Sequence, residues 1–154
     1  MSETLDRLLS ELDASAYERL RLEFGYLCIC RVEHLLEEPA VRECLHGLGR
    51  FLQGGLGSAE FDALVATAQR LANQHPGSKS IDGCGHAAVS ATYAVAKALA
   101  GKARQAAEYA AYAAVYGQGG YGAVADRTSF EPEFAWQIEI LQSLMARPAP
   151  LKTI

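Results

Sequence analysis

The sequence has no apolar run long enough to cross a bilayer. Its longest stretch with few charges is rich in alanine and is broken by Lys97, Gly101, Lys102 and Arg104, whereas a spanning helix needs about 20 apolar residues in succession. The opening segment, MSETLDRLLSELD, carries acids where a secretory leader places basic residues ahead of an apolar core. A cytoplasmic protein that does not enter the membrane is expected. Clustered Lys and Arg are also missing. With 14 basic against 18 acidic residues and a formal charge of -4, the chain has little with which to neutralise phosphates, which speaks against nucleic acid as a partner. Residues 1–54 hold ten Asp or Glu against six Arg, and the remainder balances at eight of each. Any attraction toward a basic partner therefore comes from the N-terminal third, where a solvated helix face explains the acids equally well.

No segment alternates apolar and polar residues in the manner of a strand. Four cysteines, Cys28, Cys30, Cys44 and Cys84, do not suggest a disulfide framework in a chain of this size and read as small buried hydrophobes. What the chain has in abundance is alanine, which fills 14 of the 36 positions from 82 to 117. Alanine is the best helix former and lets two backbones approach closely. Two helices are predicted there, roughly 84–100 and 102–116, turning at Gly101. Such thin helices cannot fill a core alone, so Leu, Phe and Trp from the flanking segments must wrap them. At 154 residues the chain can bury about two-thirds of its unfolded surface as one domain.

The rest of the chain supplies the wrapping helices. Ser2 is placed to cap a first helix ending near residue 12, with Leu5, Leu8, Leu9 and Leu12 on one face. Ser15 opens a helix over 16–37 whose middle, FGYLCICRV, is apolar nearly all round apart from Arg31. That guanidinium must snorkel out or find a carboxylate. Pro39 starts a helix over 39–53 with a stripe of Val41, Leu45, Leu48 and Leu52, and Ser58 is expected to cap one over 59–74. The segment GQGGYGAVADRT, residues 117–128, reads as a mobile loop because of its glycines. Ser129 then caps a last helix over 130–147 with Phe130, Phe134, Ile138, Leu141 and Met145 inward, and Trp136 lies off that stripe. The expectation is an all-α, single-domain bundle of six to seven helices around the Ala-rich hairpin, covering residues 1–147, with 148–154 as a frayed tail.

Few residues offer chemistry. Gly117-Gln118-Gly119-Gly120-Tyr121-Gly122 matches the dinucleotide fingerprint G-x-G-x-x-G, but it follows a predicted helix instead of a strand, so it reads as a helix-ending connection. Cys44 with His46 and Cys84 with His86 invite a zinc site, yet residues two apart on a helix point about 200° from each other, and no spacing matches a closed zinc pattern. No metal or cofactor is assigned. His86 and Ser90 form an i, i+4 pair without a sequence-visible oxyanion hole, so no catalytic residue is assigned either. On the first hairpin helix His86, Ser90, Tyr93 and Lys97 share a face, and on the second Gln105, Tyr109, Tyr112 and Tyr116 do the same. Tyr109, Tyr112, Tyr116 and Tyr121 are of the residue type enriched in binding surfaces, and they suit a core stripe with satisfied hydroxyls equally well.

In this setting the chain resembles the all-helical immunity proteins that accompany bacterial polymorphic toxins. The resemblance rests on CICRVEHLLE at 28–37, the Gly-Arg-Phe-Leu-Gln-Gly run at 49–54, the Ala-rich CGHAAVSATYAVAKALAG with YAAYAA, and Trp136-Gln137. It spans about residues 25–140 and carries over His86, Trp136 and Gln137 as members of the shared pattern. It implies a protein that binds and neutralises a cognate toxin domain without catalysis. Beside it stands a small-molecule or metal-binding bundle with a site near Cys84, His86, Ser90, Tyr93 and Lys97. Self-association through the small-residue faces is a further possibility.

Overall fold

The computed structural model describes residues 2–14 and 18–147. Seven α-helices run in the order α1 Glu3–Ala14, α2 Glu18–Val32, α3 Pro39–Leu52, α4 Ser58–Asn73, α5 His86–Leu99, α6 Ala103–Ala125 and α7 Glu131–Ala146, with 3-10 turns at Glu33–Leu35 and Arg127–Phe130. Among the described residues there is no strand. The expectation of an all-α bundle around an Ala-rich hairpin holds.

The hairpin, α5 and α6, is the most extensively packed pair in the molecule, and α2 lies across both of its helices. Ala91, Ala94, Val95, Ala106, Ala107 and Ala113 are fully buried in it, while Leu5, Leu9, Leu12, Phe24, Ile29, Leu45, Leu48 and Leu141 supply the bulk from outside. Small side chains set the separation. At Gly25 of α2, an added Cβ would stand 3.1 Å from Ala98 Cβ and 3.2 Å from Ala98 Cα, so the backbones of α2 and α5 meet with nothing between them. Gly101 closes the hairpin with φ +76°. Its N–H donates to Ala98 O at 3.1 Å and the Lys102 N–H to Lys97 O at 2.9 Å, the paired bonds that end a helix on a left-handed glycine.

The surrounding helices are fastened by local means. Ser2 caps α1, its Oγ accepting the Leu5 N–H at 3.1 Å, and Leu5, Leu8, Leu9 and Leu12 are all buried as their spacing requires. Arg104 at the start of α6 donates to Asp6 Oδ1 at 2.6 Å and Ser10 Oγ at 3.0 Å, tying α1 to the hairpin. Phe51 of α3 stacks on Phe61 of α4 with ring centroids 4.1 Å apart.

Several expectations are corrected. The second helix ends at Val32 and continues as a 3-10 turn, not as an α-helix to residue 37. Ser15 and the tail 148–154 lie outside the described residues. Gly57 occupies the cap position expected for Ser58, which is the first helical residue of α4. Ser129 does not cap α7, whose cap position is Phe130 without a side-chain bond; the side-chain cap lies one turn earlier, where the Asp126 carboxylate accepts the Thr128 N–H at 3.0 Å at the start of the 3-10 turn. The glycine-rich segment 117–128 is not a loop, because α6 runs on to Ala125 through a kink at Gly119 and Gly120. The buried line of α7 is Glu133, Gln137, Leu141 and Leu144, whereas Phe134, Ile138 and Met145 are only partly covered. Apolar periodicity misassigned that face because its first two members are polar and find partners inside.

Replacing Gly101 by Ala is expected to cost about 1–2 kcal/mol in urea unfolding, from the left-handed backbone alone, since an added Cβ meets nothing within 4 Å. Replacing Gly25 by Val adds branches to a contact already closed, and its cost is expected at about 1–3 kcal/mol. An unfolding midpoint unchanged in either variant would contradict the packing described.

Candidate functional site: an aromatic face across the hairpin

The structure brings His86 of the pocket reading together with Tyr116 and Tyr121 of the binding reading where α6 bends back over the start of α5, and pairs Tyr93 with Tyr109 further along the hairpin, but leaves Ser90 buried and Lys97 apart. Gly120 has φ +62°, and an added Cβ there would stand 2.0 Å from Asp82 O. This residue is glycine because both its backbone and its space demand it. The bend lets the Tyr121 N–H donate to Asp82 O at 2.7 Å and lays the Tyr121 ring against Gly83, where a Cβ would meet ring carbons at 2.8 Å. Beyond the kink, Ala123 and Val124 pack on Ala111, Val115 and Phe130. That burial, with the Asp82 bond, offsets the helix-breaking tendency of four glycines within six residues.

The aromatic rings then follow one another along the hairpin. Tyr93 of α5 stacks on Tyr109 of α6 at 5.4 Å. Tyr112 lies 6.2 Å from Tyr116 and meets the edge of Phe130 at 5.0 Å. His86, Tyr116 and Tyr121 form a three-membered edge-to-face cluster with centroids 5.2 to 6.2 Å apart. Its polar tips are joined, with His86 Nε2 2.6 Å from the Tyr121 hydroxyl. Edge-to-face pairs of this kind add roughly 0.5–1.5 kcal/mol each beyond burial. His86 thus bonds to a tyrosine 35 residues away, while Ser90 is buried. Lys97 lines a separate cleft of about 410 Å³ with Gln105, Glu108, Tyr109 and Tyr112. On the other side of Tyr112 lies a cleft of about 480 Å³ with Val124, Arg127 and Phe130 on its walls.

Among the described residues, the exposed large hydrophobic side chains are Ile81, Tyr112 and Tyr121. Tyr112 is 44% exposed, Tyr121 49% and Ile81 99%. Ile81 immediately precedes the Asp82 carbonyl that holds Tyr121, and Tyr116 bridges Tyr121 to Tyr112. Sequence reasoning identified the tyrosines and missed Ile81, Glu108, Arg127 and Phe130. Ile81 had a readable signal, a lone large hydrophobe inside the polar linker SKSID. Nothing in the pattern tied its neighbour Asp82 to Tyr121.

All four cysteine thiols are shifted upward. Burial pushes Cys28, Cys30 and Cys44 above the usual thiol range. Cys84 is raised too, by desolvation first and then by its bond and charge contact with Asp82. The Asp82 carboxyl is held below the usual carboxylate range by the Cys84 N–H, which donates to it at 3.0 Å. Metal ligation and nucleophilic attack both need the thiolate. Among the described residues, no three His, Cys, Asp or Glu side chains converge where one metal ion could sit.

A second cluster lies between α2 and α7. Arg31 donates from Nε to Glu133 Oε1 at 2.9 Å and from a terminal nitrogen to Oε2 at 3.2 Å, and its guanidinium stands 4.7 Å over the Trp136 ring. The carboxylate expected for Arg31 is therefore Glu133, whose side chain is 5% exposed. Gln137, one residue past Trp136, donates to Ala107 O at 3.0 Å. The 28–37 segment and Trp136-Gln137, two of the stretches that carry the resemblance, meet here. Comparison with protein-family models, with curated proteins and with solved structures returned no match to this chain.

Gly120→Ala is expected to break the bend while leaving most helix content in place. Amide hydrogen exchange at Tyr121 should rise to the rate of an unbonded amide, and exchange that stays slow would contradict the kink. Asp82→Asn keeps an acceptor for the Cys84 N–H and removes the charge, so the Cys84 thiol falls. Alkylation of Cys84 at neutral pH should then run severalfold faster than in the unaltered protein.

Proposed function

We propose that the protein acts by binding another protein, without catalysis, through the strip formed by Ile81, Tyr121, Tyr116 and Tyr112. The observation that carries this reading is that two of the exposed large hydrophobics of the described residues, Tyr112 and Tyr121, are joined through Tyr116 in one run of ring contacts, with exposed Ile81 next in the chain to the Asp82 that holds Tyr121, instead of being scattered singly, the ordinary pattern for surface hydrophobes. Tyrosine suits such a role. Its ring offers contact area at low entropic cost and its hydroxyl stays hydrated before binding. The strip is preorganised by the Gly120 bend and the His86–Tyr121 bond, which lowers the ordering cost of association. Two clefts flank Tyr112, so a partner can seat side chains on either side of it. The partner proposed first is the toxin domain that the resemblance implies, and a cytoplasmic setting is part of the same proposal.

Candidate toxin domains encoded beside the protein's own gene supply the test, with affinity measured by calorimetry. Ile81→Ser, Tyr112→Ala and Tyr121→Ala are each expected to weaken binding about ten- to a hundredfold, the range for central interface anchors. Binding that survives all three substitutions together would remove the strip from the interface. Sedimentation of the isolated protein separates this reading from self-association through the same face.

A further inference from the structure

The strip does not use the cluster between α2 and α7, and that cluster has the parts of a ligand site. Arg31, His34, Gln118 and Glu133 line a cleft of about 270 Å³ with Leu35 and Ala114 among its apolar walls. The cleft is smaller than the roughly 300–1,000 Å³ of drug-sized sites.

The orientation of Arg31 matters most. Glu133 takes Nε and one terminal nitrogen, which is the side edge of the guanidinium. Two of its five N–H donors are used there; two more lie side by side on the end edge between the terminal nitrogens, in the fork geometry that matches a second carboxylate, and the fifth points back along the side chain. Trp136 beneath the plane and the buried Glu133 beside it fix where that edge can point. Glu133 also cancels the charge of Arg31, so the cleft attracts anions through directed hydrogen bonds more than through net charge. His34 and Gln118, both exposed, add donors at the rim. We infer that this cleft binds a small organic carboxylate, its two oxygens on the free edge of Arg31, with His34 and Gln118 closing over it and a short apolar body against Leu35 and Ala114.

The chain holds one tryptophan, and Trp136 touches Arg31, so its emission reports directly on occupancy. The probes are acetate, butyrate and benzoate, with the corresponding primary amides as uncharged controls of the same shape. A tripeptide with a free C-terminus and the same tripeptide amidated separate a free metabolite from a chain terminus as the source of the carboxylate. The expected result is a saturable change in Trp136 emission at millimolar carboxylate and none with the amides. His34→Ala and Gln118→Leu alter exposed residues and should each weaken binding about three- to tenfold. Arg31→Lys keeps the charge and loses the fork, so it should weaken binding more than the rim variants do; thermal melts verify that it folds. A tighter small acid than tripeptide assigns the site to a metabolite, and the reverse assigns it to a chain terminus; both support a carboxylate site. No saturable change with any carboxylate, equal binding of the amides, or unchanged affinity in both rim variants would overturn the inference.

Discussion

The molecule depends on how closely α2, α5 and α6 approach one another. Helices usually pack with their axes 8–10 Å apart, the spacing depending on the side chains between them, and here those side chains are hydrogen and methyl. Gly25 against Ala98 is one point of close approach, and buried alanines line both helices of the hairpin. Such an interface has little volume to lose and none to spare. Its stability comes from many short dispersion contacts and from burial of the leucines and phenylalanines that the outer helices lay over it.

The close hairpin explains why the aromatic face exists. When two helices meet through alanines, larger side chains at the seam cannot point inward, and Tyr93, Tyr109, Tyr112 and Tyr116 are displaced to its edge. There they stack across α5 and α6 and leave one side to water. The bend at Gly119 and Gly120 adds Tyr121 to this row and joins it to the 82–86 turn. Geometry that a chain of free tyrosines would have to acquire on binding is thus present beforehand. The cluster at the other edge of α6, where Arg31 is held between Glu133 and Trp136, follows a different logic. A charge within an apolar helix had to be satisfied, and its partner came from the last helix in the chain, which fixes the docking of α7.

The two edges have different demands. At the aromatic edge, the rings dominate and His86 and Tyr121 bond to each other across the bend, so the surface is mainly contact area. At the Arg31 edge, the hydrogen-bonding capacity exceeds what the protein itself consumes.

The sequence by itself determined the fold class, the central hairpin with its turn at Gly101, the cap at Ser2, the leucine face of α1 and the choice left to Arg31, to snorkel out or to find a carboxylate. Each follows from local propensity or from the cost of an unpaired charge, quantities set by neighbours in the chain. Tertiary structure decided the rest. That α6 passes through the glycines of 117–122 depends on a bond from Tyr121 to Asp82, 39 residues away in sequence. That Glu133 and Gln137 face inward depends on Arg31 and on the Ala107 carbonyl, and apolar periodicity cannot register a polar group whose partner lies on another helix. That His86 meets Tyr121 was settled by the bend, because contacts between distant segments are fixed by packing and leave no periodic trace in either.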